Sequence, residues 1–176
     1  MKLFFKQKEN FLTLENKKFI EEEVLGLEFP YFFQEGAVDA GDKDLCFIHA
    51  VLKRLEHSNN HRNAINTNNT IYDSTLSILN NFCKSIGEKP NFYTRIAYNV
   101  TIPNKNKECK AHRDHIYDHK QIIIYLNEST GSTFIVDKIL KEIKHKKYKG
   151  ICFNNLPHYH RYPEVGGRAV LVATYI

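Results

Sequence analysis

The sequence predicts an α+β fold, with N-terminal helices followed by an antiparallel β-sandwich or jelly roll. Helical spacing of apolar residues occurs in the first half of the chain. After Pro90 the apolar runs are rich in β-branched and aromatic residues, separated by Gly, Pro, Asn and Lys, as in successive antiparallel strands. Little helical pattern lies between these runs, which disfavours a parallel α/β sheet. The predicted strands are Phe92–Ile102, Gln121–Leu126, Ser132–Val136, Tyr148–Phe153 and Arg168–Ile176.

The length and composition of the chain predict one domain over residues 1–176. A chain of this size can bury a core without disulfides or a structural metal. Its 42% hydrophobic and 26% charged residues are close to globular averages, so disorder is not expected. We expect residues 1–90 to form a helical support region with short strands, and residues 91–176 to form the jelly-roll core.

Two segments of the N-terminal half have the apolar spacing of helices. From Asp44 to Leu55, leucine and isoleucine recur at intervals of three and four, and charged residues take the other face. In Asp73–Ile86, Asp73 can serve as N-cap, and Gly87 with Pro90 ends the helix. The asparagine-rich Ser58–Asn69 predicts a long polar loop. The other predictions for this half are one or two strands within Lys2–Leu14, a short helical stretch over Lys17–Val24 and a loop over Gly26–Gly41.

No segment of the sequence has the composition of a membrane span or of a secretory signal. No apolar run approaches the ~18–20 residues that a span needs. The start, MKLFFKQKENF, has only three consecutive apolar residues before charged residues follow, which is too few for a secretory signal. The scattered cysteines Cys46, Cys83, Cys109 and Cys152 form no C-x-x-C pair, which favours reduced thiols over disulfides or a thiolate zinc site. We therefore predict a cytoplasmic protein with no membrane partner.

The net charge of +5 is modest, and much of it lies in Lys138–Lys149 between two apolar runs. Only Tyr148 interleaves with these lysines, whereas surfaces that stack on bases usually carry several aromatic or arginine planes. We interpret the lysine-rich segment as a solvated face. Nucleic acid stays open as a partner, without a motif that supports it.

A histidine and an aspartate near the start of one predicted strand are candidate metal ligands. His112 and Asp114 are two positions apart, and residues at this spacing on a strand point to the same side. A histidine of the later segment PHYHR, either His158 or His160, would complete a set of two histidines and one carboxylate. This set holds non-haem Fe(II) and leaves coordination positions open. The alternative is a surface histidine paired with its neighbouring carboxylate.

Two further residues are candidates for binding an anion. Arg168 begins the final apolar strand, so its guanidinium either reaches solvent or points inward and pairs with an anion. A bidentate contact with a carboxylate suits the planar guanidinium. Tyr125 ends a strongly β-prone run. It is either a buried strand tyrosine with a hydrogen-bonded hydroxyl or a donor to a carboxylate inside the barrel.

Taken together, these segments resemble the superfamily of 2-oxoglutarate and Fe(II)-dependent oxygenases, on the branch of the prolyl 4-hydroxylases. The resemblance runs from Phe92 to the C-terminus. It rests on H-R-D, on I-Y-L-N with a following G-S-T, on G-I-C-F with a later histidine, proline and G-G-R, and on the apolar last strand. It implies a double-stranded β-helix (jelly roll) core with the N-terminal helices packed against it. A looser similarity, in LEFPYFF, FIHAVL and RIAYNV, is to small oxygenases of tailed phages, which would place the protein in a host cytoplasm.

The resemblance implies a role for each candidate residue. His112 and Asp114 would be the first two iron ligands. Arg168 and Tyr125 would bind the distal carboxylate of 2-oxoglutarate. Asn99, on the strand before the metal loop, would form a hydrogen bond with this cosubstrate. No catalytic residue is expected beyond the metal ligands.

The third iron ligand has two candidates. Arg168 follows His158 by ten positions, which is the spacing that family members usually show. Against this, H-R-Y-P around His160 resembles a motif found in many relatives. We take His158 as the third ligand and His160 as the alternative.

The activity implied by the resemblance is that of a dioxygenase. It would use Fe(II), 2-oxoglutarate and O2, hydroxylate an unidentified substrate, and release succinate and CO2. Two alternatives belong to other classes, namely a non-catalytic jelly-roll binding module and a cupin-like metalloprotein that does not use 2-oxoglutarate. Arg168 distinguishes them, because its replacement should weaken cosubstrate binding only in the first case.

Overall fold

The computed structural model of the protein describes residues 3–35, 45–54 and 67–176, and strands predominate in these ranges. The helical elements are α1 (Leu14–Lys18), which continues as a π-helical segment (Phe19–Val24), and α2 (Asn69–Ile86). The strands are β1 (Phe5–Lys8), β2 (Phe32–Glu35), β3 (Leu45–Leu52), β4 (Tyr93–Thr101), β5 (Lys120–Tyr125), β6 (Thr133–Val136), β7 (Leu140–Ile143), β8 (Gly150–Asn154), β9 (His158–His160) and β10 (Arg168–Tyr175).

The strands form two antiparallel sheets. The main sheet has seven strands in the order β1-β8-β5-β10-β4-β3-β2, and the small sheet has three in the order β7-β6-β9. In the centre of the main sheet, Val170 of β10 lies opposite Tyr125 of β5 on one side and Asn99 of β4 on the other. Strands β1, β2 and β3 from the first half of the chain therefore share a sheet with strands of the second half.

The five strands predicted after Pro90 are present, each with ends within one or two residues of the prediction. Two short strands, β7 and β9, were not predicted. A run of three or four residues is too short to show a period of two, and both strands depend on pairing with β6 for their hydrogen bonds. The small sheet thus combines a local hairpin, β6–β7, with a longer-range pairing between β6 and β9.

The helix predicted over Asp44–Leu55 is wrong, because Leu45–Leu52 is strand β3. This strand pairs with β2 and β4, and its pairing with β4 shifts register between Ala50 and Leu52. The irregularity lets Val51 and Leu52 both be buried, which breaks the alternation of a regular strand and imitates helical spacing. Hydrogen bonds from two neighbouring strands override the weak local preference.

Two other predictions for the first half need correction. Residues 32–35 of the loop predicted over Gly26–Gly41 are strand β2, while residues 36–41 lie outside the described ranges. Helix α2 begins at Asn69, not at the predicted N-cap Asp73. The side chain of Asn68 caps the helix by accepting a hydrogen bond of 2.9 Å from the backbone of Ile71. The polar loop predicted over Ser58–Asn69 lies outside the described residues up to position 66.

The main sheet is covered on both faces. One face packs against α2 and the N-terminal helical segment through alternate strand residues, among them Tyr98, Ile122, Ile124 and Leu171. The opposite face carries the intervening residues and packs against the small sheet. The cluster on that face includes Ile123, Tyr125, Val170 and Val172 with Ile135 and Ile143. The candidate site lies on this second face, between the two sheets.

Glu88, just after α2, joins the end of this helix to the main sheet. Its carboxylate accepts hydrogen bonds from Lys6 at 2.8 Å, Lys120 at 2.5 Å and Tyr175 at 2.9 Å. Burial by itself would raise the pKa of Glu88, but these hydrogen bonds outweigh it and lower the pKa to about 2. The carboxylate is therefore more stable in the folded chain than in the unfolded one.

Replacing Glu88 with glutamine should lower the free energy of unfolding by about 2 kcal/mol at pH 7. Because the folded pKa lies below the unfolded value of 4.5, this stabilisation is complete above the unfolded pKa. It is lost as the pH falls from there towards the folded pKa. Urea unfolding at pH 7 and at pH 3 should show a smaller difference between wild type and Glu88→Gln at the lower pH. Glu128→Gln, at an exposed position, is the matched control, and an equal difference at both pH values would contradict the prediction.

No helix within the described residues is both long and apolar enough to cross a membrane.

Candidate metal centre and anion pocket

His112, Asp114 and His158 come together between the two sheets, on the face of the main sheet that packs against the small sheet. His112 and His158 form an antiparallel bridge in which each backbone N–H donates to the carbonyl of the other, at 3.0 and 2.9 Å. Their ring centroids are 4.6 Å apart. One ligand atom from each of the three residues lies within 4.8 Å of the others. This spacing could hold a metal ion, and it brings together the three residues named first from the sequence.

Backbone carbonyls orient the imidazole rings of both histidines through their Nδ1 atoms. His112 Nδ1 lies 3.0 Å from the oxygen of Lys110, and His158 Nδ1 lies 3.2 Å from the oxygen of Leu156. A carbonyl can only accept, so each neutral ring carries its proton on Nδ1 and leaves the Nε2 lone pair available. The amide nitrogen of Gln121 lies 3.0 Å from His158 Nε2, consistent with a lone pair there.

Two arginines hold the carboxylate of Asp114. Arg95 Nη1 lies 2.9 Å from Oδ2 and Arg54 Nη2 lies 3.4 Å from Oδ1, while Arg54 Nη1 also donates to the backbone oxygen of Asp114. Burial would raise the pKa of Asp114, but the Arg95 guanidinium, the adjacent His112 ring and the nearby Arg54 hold it well below its ordinary value. The carboxylate is thus ionised at neutral pH.

His158 is neutral at the same pH. Burial lowers the pKa of its imidazole to about 4, although the nearby Asp114 carboxylate acts in the opposite direction. A metal ion needs an ionised carboxylate and an unprotonated imidazole. Asp114 and His158 are in these states at neutral pH.

Arg168 lies at the other end of the same cavity and is buried. Its Nε donates to the carbonyl of Gly131 at 3.0 Å and its Nη2 to Thr133 Oγ1 at 2.9 Å. Among the described residues, no carboxylate lies within ion-pair distance of this guanidinium. A buried cation without a counter-charge is costly. Arg168 therefore points to an anion as the ligand of this end.

Gly131 allows this placement of Arg168. An added Cβ at Gly131 would lie 2.6 Å from the backbone oxygen of Arg161 and 2.7 Å from Cδ of Arg168. Both distances are too short for ordinary contacts, and the first partner is backbone that cannot turn away. The glycine of G-S-T is thus needed for the close approach of the two sheets at this point.

Tyr125 lies behind the wall of the cavity. Its hydroxyl donates to Thr133 Oγ1 at 2.9 Å, and its ring centroid lies 5.9 Å from Cζ of Arg168. Thr133, which lines the cavity, stands between the tyrosine hydroxyl and the space that an anion would occupy. The predicted contact of Tyr125 with a bound carboxylate stays a prediction.

The cavity between these two ends has a volume of about 80 Å³, several times what one water molecule needs. Its middle is lined by the apolar side chains of Ile48, Ile123, Val170 and Val172. Asn99 also lines it, and its Oδ1 is buried without a hydrogen-bond partner among the described residues. A space with a metal-binding end, an apolar middle and a cationic end suits a small dicarboxylate.

His160, the alternative third ligand, is not part of the group of His112, Asp114 and His158 that could hold a metal ion. Its Nδ1 is 3.1 Å from Cys109 Sγ, and its ring lines the cavity near Arg168. Burial and the Arg168 guanidinium lower the pKa of His160 well below its ordinary value. The group of ligand atoms that could hold a metal contains His158 instead.

Several cavity residues were not predicted from the sequence. Arg95 carried a signal, because a charged residue inside the apolar run RIAYNV needs a buried partner. Thr133 belongs to the quoted G-S-T segment but had no assigned role. Arg54 lies within Asp44–Leu55, which was wrongly predicted as a helix, and that prediction placed Arg54 on the charged face opposite the apolar one. Gln121 reaches His158 only through the packing of the two sheets.

Comparisons with known proteins place this architecture among solved structures. No protein-family model and no curated protein matches the sequence. A protein of the 2OG-Fe(II) oxygenase family from Burkholderia pseudomallei matches with a TM-score of 0.74 and 15% identity, over 98% of this chain and 84% of its own.

Two prolyl hydroxylases are also similar. The enzyme from Trichoplax adhaerens, solved in complex with a hypoxia inducible factor peptide, has a TM-score of 0.61 and 15% identity over 98% of this chain and 83% of its own. The Pseudomonas putida prolyl-4-hydroxylase has a TM-score of 0.58 and 11% identity over 97% and 91%. The similarity to tailed-phage oxygenases stays a prediction. The resemblance deduced from the sequence motifs is confirmed for the fold: this chain has the fold of the 2OG-Fe(II) oxygenases.

Proposed function

We propose that this protein is an Fe(II)- and 2-oxoglutarate-dependent dioxygenase that hydroxylates a substrate and releases succinate and CO2. The main support for the proposal is the set of residues that line one cavity. It has the group of His112, Asp114 and His158 at one end and the buried cation of Arg168 at the other. We assign the two packed sheets to the double-stranded β-helix of this fold, and a cytoplasmic location stays a prediction.

The donor set at the metal-binding end fits Fe(II). Two imidazole nitrogens and one carboxylate are the ligand types that hold Fe(II) in non-haem iron oxygenases, and they would leave positions for other ligands. When bound, the iron would supply the oxidation chemistry. His112, Asp114 and His158 would hold it, and the carbonyls of Lys110 and Leu156 would keep both imidazole rings in place.

The remainder of the cavity fits 2-oxoglutarate. Arg168 would pair with the carboxylate farther from the metal, and Tyr125 would act on that end through Thr133. The apolar side chains of Ile123 and Val170 would contact the methylene groups and exclude water. Asn99 also lines this space, and its side-chain amide N–H would donate a hydrogen bond to the cosubstrate. The chain would thereby fix the orientation of the cosubstrate before reaction.

Anaerobic titration of the protein with Fe(II) and 2-oxoglutarate tests the proposal. We expect a weak visible charge-transfer band when both are present, because a keto acid chelates an iron bound by a facial triad. Succinate should then form when O2 is admitted. Binding of Fe(II) without the band would favour the cupin-like metalloprotein that does not use 2-oxoglutarate. Binding of neither would favour the non-catalytic jelly-roll binding module.

A further inference from the structure

His160 has a polar atom that the site described above does not use. Its Nε2 is buried, and no hydrogen-bond partner for it exists among the described residues. The residue lies on β9, two positions after His158, and its ring faces the same cavity. A buried polar atom without a partner is costly, so we expect water or a ligand from outside the chain to satisfy it.

The position of His160 assigns it to the anion-binding end of the cavity. It lies opposite Thr133 in the pairing of β6 with β9, and Thr133 Oγ1 accepts a hydrogen bond from Arg168. Thr101, opposite Arg168 in the pairing of β10 with β4, also has a buried Oγ1 without a partner among the described residues. The guanidinium would repel a cation here and favours a negatively charged ligand at this end.

Cys109 contacts the Nδ1 side of His160, so the direction of that hydrogen bond sets which ring nitrogen carries the proton. Cys109 Sγ accepts a hydrogen bond from the backbone N–H of His160 at 3.2 Å, and it lies 3.1 Å from His160 Nδ1. If the thiol donates to Nδ1, the neutral ring carries its proton on Nε2. A carboxylate can only accept, so this tautomer is the one that binds it.

We propose that His160 is a further cosubstrate-binding residue, which donates its Nε2–H to the same carboxylate that Arg168 binds, and that Cys109 fixes the required tautomer. The inference rests on the proposed function, since the carboxylate is the distal one of 2-oxoglutarate. His160 would add a neutral hydrogen-bond donor to the charged donor, Arg168. Together they supply hydrogen bonds to both oxygens of the carboxylate.

Calorimetric titration of the Mn(II)-loaded protein with 2-oxoglutarate and with pyruvate tests this role. Pyruvate has the keto-acid end but lacks the second carboxylate. His160→Leu should weaken 2-oxoglutarate binding about 10- to 100-fold, as expected for the loss of a hydrogen bond to a charged group, and leave pyruvate binding unchanged. His160→Gln, which keeps an N–H at about the same reach, should retain most of the affinity.

The outcomes separate this inference from the proposed function. If the wild-type protein does not bind 2-oxoglutarate in the presence of metal, both fail. If it binds and His160→Leu binds equally well, or if that variant loses affinity equally for pyruvate, only the role of His160 is overturned.

A measurement on the wild-type protein needs no substitution in the cavity. Nitrogen-15 NMR of the histidine rings should assign the proton of His160 to Nε2, and the signal should shift when 2-oxoglutarate binds but not when pyruvate binds. Cys109→Ser keeps a donor to Nδ1 and should keep this tautomer. A proton on Nδ1 in the 2-oxoglutarate complex would contradict the proposal.

Discussion

Replacing Arg168 with leucine should weaken the binding of 2-oxoglutarate by about 100-fold or more while leaving the affinity for Fe(II) unchanged. Removing one partner of a buried charge pair usually costs about 2–5 kcal/mol, because the other charge is left without compensation. In this chain the uncompensated charge would be the distal carboxylate of the cosubstrate. The metal ligands lie at the other end of the cavity and make no hydrogen bond with Arg168 among the described residues.

The same substitution should not destabilise the protein without its cosubstrate. Arg168 is buried with no carboxylate partner in the described part of the chain, and replacing such a cation with an apolar residue of similar volume is often neutral or stabilising. Calorimetry with 2-oxoglutarate and thermal unfolding of the cosubstrate-free protein would measure the two effects. Arg161→Leu is the matched control, because this arginine is partly exposed and pairs with Glu108. Equal 2-oxoglutarate affinity in wild type and Arg168→Leu would exclude Arg168 as the anion-binding residue.

The strands after Pro90 could be predicted from the sequence because their residues identify them locally. Runs such as QIIIYL and AVLVATYI are rich in β-branched residues, and Gly, Pro or Asn marks their ends. Strand β3 could not be predicted in this way. Its apolar spacing is distorted by a register shift, and its hydrogen bonds come from strands before and after it in the sequence.

The sequence predicted which residue types could bind the metal, but it left two candidate positions for the third ligand, His158 and His160. His158 and His160 are two apart on β9 and line the same cavity, so no argument from alternation separates them. Their partners on β6 do separate them, because His158 lies opposite Ile135 while His160 lies opposite Thr133. Two positions along β9 thus separate the histidine of the group that could hold a metal ion from the histidine opposite Thr133, which Arg168 contacts. Such a distinction depends on the pairing of two strands, which the sequence of either strand alone does not determine.

Replacing Asp114 with alanine should lower the affinity for Fe(II) by more than about 100-fold. Removing a group that only supports a metal ligand costs up to about 100-fold, and a direct ligand should cost more. Asp114 is the single carboxylate of the group, and its negative charge offsets that of the cation more than either neutral imidazole can. Metal titration with a fluorescent competitor would measure this loss. Asp118→Ala removes a nearby exposed carboxylate and should leave the affinity unchanged.

The loss of Asp114 should also reduce the stability of the metal-free protein. Arg95, whose side chain is only 12% exposed, would lose its carboxylate partner, and we expect a decrease of about 1–3 kcal/mol in the free energy of unfolding. A second substitution, Arg95→Leu in the Asp114→Ala background, should restore part of this stability because it removes the unpaired cation. It should not restore Fe(II) binding, since the ligand itself is still missing. Recovery of both properties would mean that Asp114 acts on the metal only by folding the site, whereas recovery of stability alone would assign it to the metal directly.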